Sequence, residues 1–94
     1  MNGHVDEAFG CFNKMTEHEV KPNDITFLGL LTACTHVGLV DKGLEYFNMM
    51  DKRYGIFPKV EHYGCVVDLL SRAGRLVEAE DLINTMPVKP NVIV

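Results

Sequence analysis

The side chains best suited to metal binding or nucleophilic chemistry are His4, His18, His36, His62, Cys11, Cys34 and Cys65. Such groups hold zinc or attack a substrate when several of them converge on one point. No two histidines stand four residues apart, the spacing that would place both on one helical face. His62 and Cys65 are close in sequence, yet a zinc site needs about four ligands and no second pair accompanies them. We therefore predict no metal site, no cofactor and no catalytic centre.

Structural roles explain these residues better. We expect the histidines to be solvated or turn residues, and Cys34 and Cys65 to be small core side chains on apolar helical faces. An odd number of widely spaced cysteines favours reduced thiols over a disulfide framework. A net charge of −4 argues against binding of nucleic acid through bulk positive charge. The scattered basic residues are expected to be mainly solvated surface, and Lys59 and Arg72 are the best placed of them to contact a phosphate.

A short pattern of glycine, apolar residues and methionine recurs along the chain and must position these side chains. It begins at Gly3, Gly38 and Gly74 and ends at Met15, Met50 and Met86. The intervals of 35 and 36 residues mark a repeat protein, in which each unit buries its apolar face against its neighbours. Met1 falls where a connection into a helix is expected, so we expect the chain to be part of a longer array.

Apolar residues at three- and four-residue steps predict five helices. The predicted helices begin at Val5 and then run from Ile25 to Val37, Leu39 to about Arg53, Val60 to Ala73, and Leu76 to about Met86. We expect Asn23 or Asp24 to cap the second helix, and Gly38 to end it in a left-handed conformation. The second helix is apolar on more than one side, so it is expected to lie between two neighbours.

The predicted fold is all-α, a right-handed α-solenoid of antiparallel helix pairs. Within it, the repeat register places Phe47 and Met50 in the core between helices and leaves Met49 undecided. No apolar run approaches the roughly 20 residues that cross a bilayer, so no membrane contact is expected.

The segments GHVDEAFGCFNKM, ITFLGLLTACTHVGLVDKGLEYFNMM with YGIFP, and EHYGCVVDLLSRAGRLVEAEDLINTMP resemble the pentatricopeptide repeat family. They are similar to the last repeats of its plant subclass with alternating standard, long and short repeats. The nearest rival, the tetratricopeptide repeat, has a 34-residue unit whose first-helix signature is missing here. The resemblance implies half a standard repeat at 1–23, a long repeat at 24–59, a short repeat at 60–91 and the start of an extension motif at 92–94.

In that family each repeat contacts one nucleotide of single-stranded RNA through the fifth residue of its first helix and its last residue. An aliphatic second residue wedges against the base. Transferred by position, the RNA-binding residues implied here are Asn23, Ile25, Leu28, Lys59, Gly64 and Asn91, with Glu61 at the second wedge position. Leu28 cannot form hydrogen bonds through its side chain and Gly64 has none. We therefore expect weak base selectivity, and mainly a structural bridge between base-reading repeats and a downstream extension.

The resemblance further implies an organellar RNA editing or processing factor of the mitochondrion or chloroplast. A zinc deaminase needs a His-x-Glu motif and a Cys-x-x-Cys pair, and neither is present, so this chain is not expected to be an enzyme. The alternative is a scaffold in which Phe27 and Leu28 receive accessory editing factors. Uncapped apolar end faces, along Val5 to Met15 and Leu76 to Met86, also predict self-association.

Overall fold

Five α-helices follow one another in the computed structural model, which describes the backbone of residues 3–86 and the side chains of residues 7–86. They are α1 (Gly3–Glu17), α2 (Asp24–Val37), α3 (Val40–Lys52), α4 (Val60–Arg72) and α5 (Leu76–Thr85). No strand occurs within this range, so the predicted all-α fold is confirmed. The predicted helix ends agree with the observed ones to within two residues.

Local hydrogen bonds fix the ends of α2. The Asn23 side-chain oxygen accepts the backbone N–H of Thr26 at 2.9 Å, and the Thr26 hydroxyl accepts the backbone N–H of Asn23 at 3.3 Å. This reciprocal cap satisfies two donors that the first helical turn leaves free. At the other end Gly38 has φ 75°, a left-handed conformation that costs glycine little. Both predicted signals at the ends of α2 are thus confirmed.

The first helices of successive pairs, α2 and α4, run parallel and in contact. Their amino ends meet where Lys59 Nζ lies 2.6 Å from Asp24 Oδ2, and their carboxyl ends share a cleft lined by residues that include His36 and Arg72. Helix α3 packs on both of them, α1 packs on α2, and α5 packs on α4. Helix α2 therefore lies between neighbours, as its apolar pattern predicts.

Aromatic rings join the first three helices into one core. Phe27 is fully buried, and its ring centroid lies 5.6 Å from those of Phe12 and Tyr54. Tyr46 is 4% exposed and packs edge-on against Phe12. Edge-to-face contacts of this kind add to the free energy gained by burying the rings. The core thus ties successive repeats together.

Two predictions about side-chain burial, for Phe47 and for His62, were wrong. Met50 is fully buried as expected, but Phe47 is only half-buried: it contacts Tyr63 of α4 and lines an open groove. Tyr46, one residue earlier, occupies the core instead. His62, expected to be solvated, is 2% exposed and hydrogen-bonded through both ring nitrogens.

The three thiols differ in burial, which gives a direct test of the fold. Cys11 is exposed, Cys65 is half-buried, and Cys34 is fully buried. Burial raises the pKa of Cys34 to about 11, although the nearby Lys42 opposes this shift. Because the thiolate is the reactive form, we expect a thiol reagent such as DTNB at pH 8 to modify Cys11 first and Cys65 more slowly. Cys34 is expected to react only with unfolding, and equal rates for all three thiols would contradict this packing.

Candidate functional site

A groove of about 420 Å³ runs between α2 and α4, and we call it the α2–α4 groove. Its lining residues are Leu28, Thr32, Thr35, His36, Glu61, Gly64, Cys65, Asp68 and Arg72. Three residues on α2 and three on α4 follow each other at four-residue steps, so each set lines one face of its helix. Each α2 member has an α4 counterpart 36 residues later: Leu28 with Gly64, Thr32 with Asp68, His36 with Arg72. The groove therefore presents the same repeat positions twice.

The middle of the α2–α4 groove is held together by threonines. The Thr35 hydroxyl lies 2.9 Å from the Leu31 carbonyl of its own helix and 3.1 Å from the Cys65 carbonyl of α4. It therefore shares its proton between the two helices. The Thr32 hydroxyl lies 3.6 Å from Cys65 Sγ across the groove. These contacts fix the spacing of the two walls while leaving Thr32 exposed to a ligand.

The carboxyl end of the groove carries one guanidinium group, that of Arg72. Arg72 Nε donates to Asp68 Oδ1 at 3.1 Å, and the Arg72 side chain remains 61% exposed. His36 lies at the equivalent position of α2 and is also exposed. A guanidinium that is only partly engaged keeps donors for a phosphate group. This end therefore offers guanidinium donors to an anion, although Asp68 neutralises part of the Arg72 charge, and the carboxylate of Glu61 disfavours an anion further along the groove.

The amino ends of α2 and α4 carry Asn23 and Lys59, which precede the two helices at equivalent positions. The Asn23 oxygen is occupied by its cap, so its amide N–H groups are the polar atoms left for a ligand. The Lys59 ammonium donates to Asp24, which lowers the pKa of that carboxyl and raises the pKa of Lys59. Lys59 is therefore held by its neighbour.

Only some of the predicted site residues lie close together in the structure. Leu28 and Gly64 line the α2–α4 groove, Asn23 and Lys59 stand at its amino end, and Asn91 lies outside the described residues. Ile25 is 73% exposed and lines a second, shallow groove beside α1 that also reaches Leu28. His36 is not among the groove residues predicted from the sequence. The repeat period could have identified it, because His36 stands 36 residues before Arg72.

Metal binding finds no support along the part of the chain with described side chains, since no three His, Cys, Asp or Glu groups there cluster around one point. None of the five described helices is long and apolar enough to cross a membrane.

Comparison with known sequences identifies the repeats. A profile described as "PPR repeat family" matches residues 1–36, and one described as "PPR repeat" matches residues 25–54 and 61–89. Among curated proteins of Arabidopsis thaliana, a pentatricopeptide repeat-containing protein is 52% identical over 93 residues, 99% of this chain and 18% of that protein. A second, named as chloroplastic, is 55% identical over 93 residues, 99% of this chain and 19% of its own length.

A third, named as mitochondrial, is 53% identical over 93 residues, 99% of this chain and 20% of its own length. The chain thus spans about one fifth of the length of these relatives. The profiles together match most of the sequence, and α2 with α3 and α4 with α5 form the helix pairs of the two matched repeats. This chain belongs to the pentatricopeptide repeat family.

Proposed function

We propose that this chain is an RNA-binding segment of a longer repeat protein and contacts single-stranded RNA along the α2–α4 groove. The observation that carries the proposal is the pairing of equivalent repeat positions, 36 residues apart, on the two walls of one groove. Successive helices of this kind can read one unstacked base per repeat. The role is binding and not catalysis.

Base selectivity in this segment is weak. Leu28 offers no hydrogen bond, Gly64 offers no side chain, and Lys59 is bound to Asp24. Asn23 keeps its amide donors, and Asn91 is proposed for the same role in the short repeat. Affinity therefore comes chiefly from phosphate contacts at Arg72 and His36, and the segment acts mainly as a structural bridge within the array.

The proposed repeat boundaries are half a standard repeat at 1–23, a long repeat at 24–59, a short repeat at 60–91 and an extension motif from 92. Residues 92–94 lie outside the described part. The pairs α2 with α3 and α4 with α5 fall inside the long and short repeats, which supports these boundaries. Relatives named as chloroplastic and mitochondrial support an organellar protein, and we propose RNA editing or processing as its task.

Protein docking is the second candidate, favoured by the shallow groove of about 450 Å³ beside α1 and α2. Its lining includes the apolar residues Ala8, Ile25, Leu28 and Ala33. An accessory editing factor is the proposed occupant. The earlier expectation that Phe27 receives such a partner is wrong, because Phe27 is fully buried. Self-association is proposed through α5, where Leu76 is 64% exposed and Val77 is 75% exposed.

Salt-dependent RNA binding tests the first candidate. In a longer repeat protein carrying this chain, we expect Arg72→Gln to weaken binding of single-stranded RNA several-fold. The slope of log K against log salt is expected to fall by about 0.7, the value for one phosphate contact on a single strand. Fluorescence anisotropy between low and physiological salt measures both quantities.

Lys14→Gln is the matched control, because Lys14 is exposed on α1 outside the α2–α4 groove. Equal effects of the two variants would contradict the proposed phosphate contact. Ala8→Asp tests the second candidate, because Ala8 lines the shallow groove beside α1 and not the α2–α4 groove. If it abolishes capture of an accessory factor while RNA affinity stays unchanged, docking beside α1 is favoured.

A further inference from the structure

His62 joins the amino ends of α2 and α4 through one buried ring. Its Nδ1 lies 3.0 Å from the backbone nitrogen of Lys59, whose N–H it accepts. Because Nδ1 is an acceptor, the proton of the neutral ring must sit on Nε2. Nε2 lies 2.9 Å from the backbone carbonyl oxygen of Asp24 and donates to it. Only 2% of the His62 side chain is exposed, so the ring itself is shielded from water.

The equivalent residue of α2 makes only the first of these two bonds. Thr26, 36 residues earlier, accepts the backbone N–H of Asn23 through its hydroxyl and closes the local cap. The second ring nitrogen of His62 lies further from the backbone than a threonine hydroxyl can, and it is this atom that reaches the neighbouring helix. His62 therefore combines a helix cap with a contact between repeats, and the two tasks are separable by mutation.

A second link between the same ends is weaker. The Lys59 ammonium lies 2.6 Å from the Asp24 carboxylate, but 63% of the Lys59 side chain is exposed. Exposed ion pairs hold geometry poorly, since water and salt screen them. A buried hydrogen bond to the backbone is more costly to break, because the polar atom left behind has no partner. The His62 ring is thus the firmer spacer at this end.

The residues next to these bonds are the ones proposed to meet successive nucleotides. Asn23 and Lys59 immediately precede α2 and α4, and His62 ties the backbone of Lys59 to Asp24, the neighbour of Asn23. Resting on the proposed RNA-binding function, we propose that His62 is a positioning residue that fixes the separation of these two nucleotide-contacting positions. It thereby sets the nucleotide spacing that this part of the array accepts.

Three variants isolate the contact between repeats. His62→Thr keeps the local cap, as Thr26 demonstrates, and removes the bond to Asp24. His62→Gln restores both, because a glutamine amide accepts the cap N–H through its oxygen and donates through its nitrogen. Asp24→Asn removes the ion pair with Lys59 and leaves the backbone carbonyl in place.

The first measurement needs no RNA. Spin labels at Ile25→Cys and Glu61→Cys, on exposed positions 36 residues apart, report the separation of the two amino ends in the full chain. Cys11 and Cys65 are replaced by serine so that labelling stays specific. We expect His62→Thr to broaden the distance distribution while the helical circular dichroism is retained, and His62→Gln to restore it. An unchanged distribution in His62→Thr overturns the proposal, whatever the chain binds.

The second measurement uses a longer repeat protein carrying this chain. Its RNA probes are a matched strand and the same strand with one nucleotide inserted between the bases opposite Asn23 and Lys59. We expect the parent protein to prefer the matched strand about tenfold, and His62→Thr to retain only a two- to threefold preference. His62→Gln and Asp24→Asn are expected to stay near tenfold.

The outcomes separate the two claims. A His62→Thr variant with the full preference overturns the positioning role, and so does an Asp24→Asn variant that loses the preference to the same extent. If the parent protein binds neither RNA, the proposed function fails, and the spin-label distances still decide whether His62 sets the separation of the helices.

Discussion

Phe27→Ala is expected to lower the free energy of unfolding by about 3 to 5 kcal/mol, the usual loss for a fully buried phenylalanine. Its ring contacts Phe12 of α1 and Tyr54 beyond α3, so one truncation opens a cavity among three segments. Small domains are stable by only about 5 to 15 kcal/mol. The variant is therefore expected to lose most of its stability in urea denaturation followed by circular dichroism.

Phe57→Ala is the matched control. Phe57 is 83% exposed in the segment between α3 and α4, and exposed substitutions of this kind change stability by less than about 0.5 kcal/mol. The same chemical truncation thus has two very different expected effects. Comparable losses in both variants would mean that Phe27 is not the centre of the core.

The exposure of Phe57 is a property that the sequence does not predict. Proline and glycine predict that the helix breaks between α3 and α4, because these signals act within a few residues. Tyr54 and Ile56 pack against the core and Phe57 does not. That choice depends on the path of the backbone between two helices, which apolar composition does not encode.

Burial also differs among residues that occupy the same position in successive repeats. Phe12, Phe47 and Ile83 share a register, and the pattern predicts one environment for all three. Phe12 is 6% exposed, Phe47 is half-buried and Ile83 is 37% exposed. The position is set by the sequence, but its burial depends on the neighbours that each helix meets. In the described part, α5 packs on α4 alone, which leaves Ile83 the most exposed.

Only part of the candidate site is predictable from the sequence. Repeat arithmetic alone predicts that Leu28 and Gly64 occupy equivalent places, and the α2–α4 groove contains both. It does not predict that Asp24 holds Lys59 or that His62 is buried, because each depends on an atom of the neighbouring repeat. Local caps and periods are thus readable from this chain, whereas contacts between repeats need the fold.

Gly43 and Gly64 both lie inside helices, but their surroundings differ. A Cβ built on Gly64 meets no atom within 4 Å, whereas one built on Gly43 would overlap Leu69 Cδ2 and touch Cys34 Cβ at 3.4 Å. Leu69 is 1% exposed and belongs to the core cluster, so a shift of its side chain would disturb the packing around it. Helix α3 therefore approaches α2 and α4 closely at Gly43.

Alanine substitutions at these two glycines are expected to change the free energy of unfolding in opposite directions. Replacing a helical glycine by alanine gains about 1 kcal/mol of helix propensity, which is the whole effect at Gly64. At Gly43 the methyl group overpacks the core at a cost of about 1 to 3 kcal/mol, so the net effect is a loss of up to about 2 kcal/mol. Urea midpoints measured under identical conditions provide the comparison: Gly64→Ala unfolds later than the parent chain and Gly43→Ala earlier. If both variants were stabilised equally, the close approach at Gly43 would be refuted.

Ala79, one repeat later, already carries the methyl group and is 4% exposed. The demand for glycine at Gly43 therefore comes from Leu69 of the following repeat and not from the helix itself.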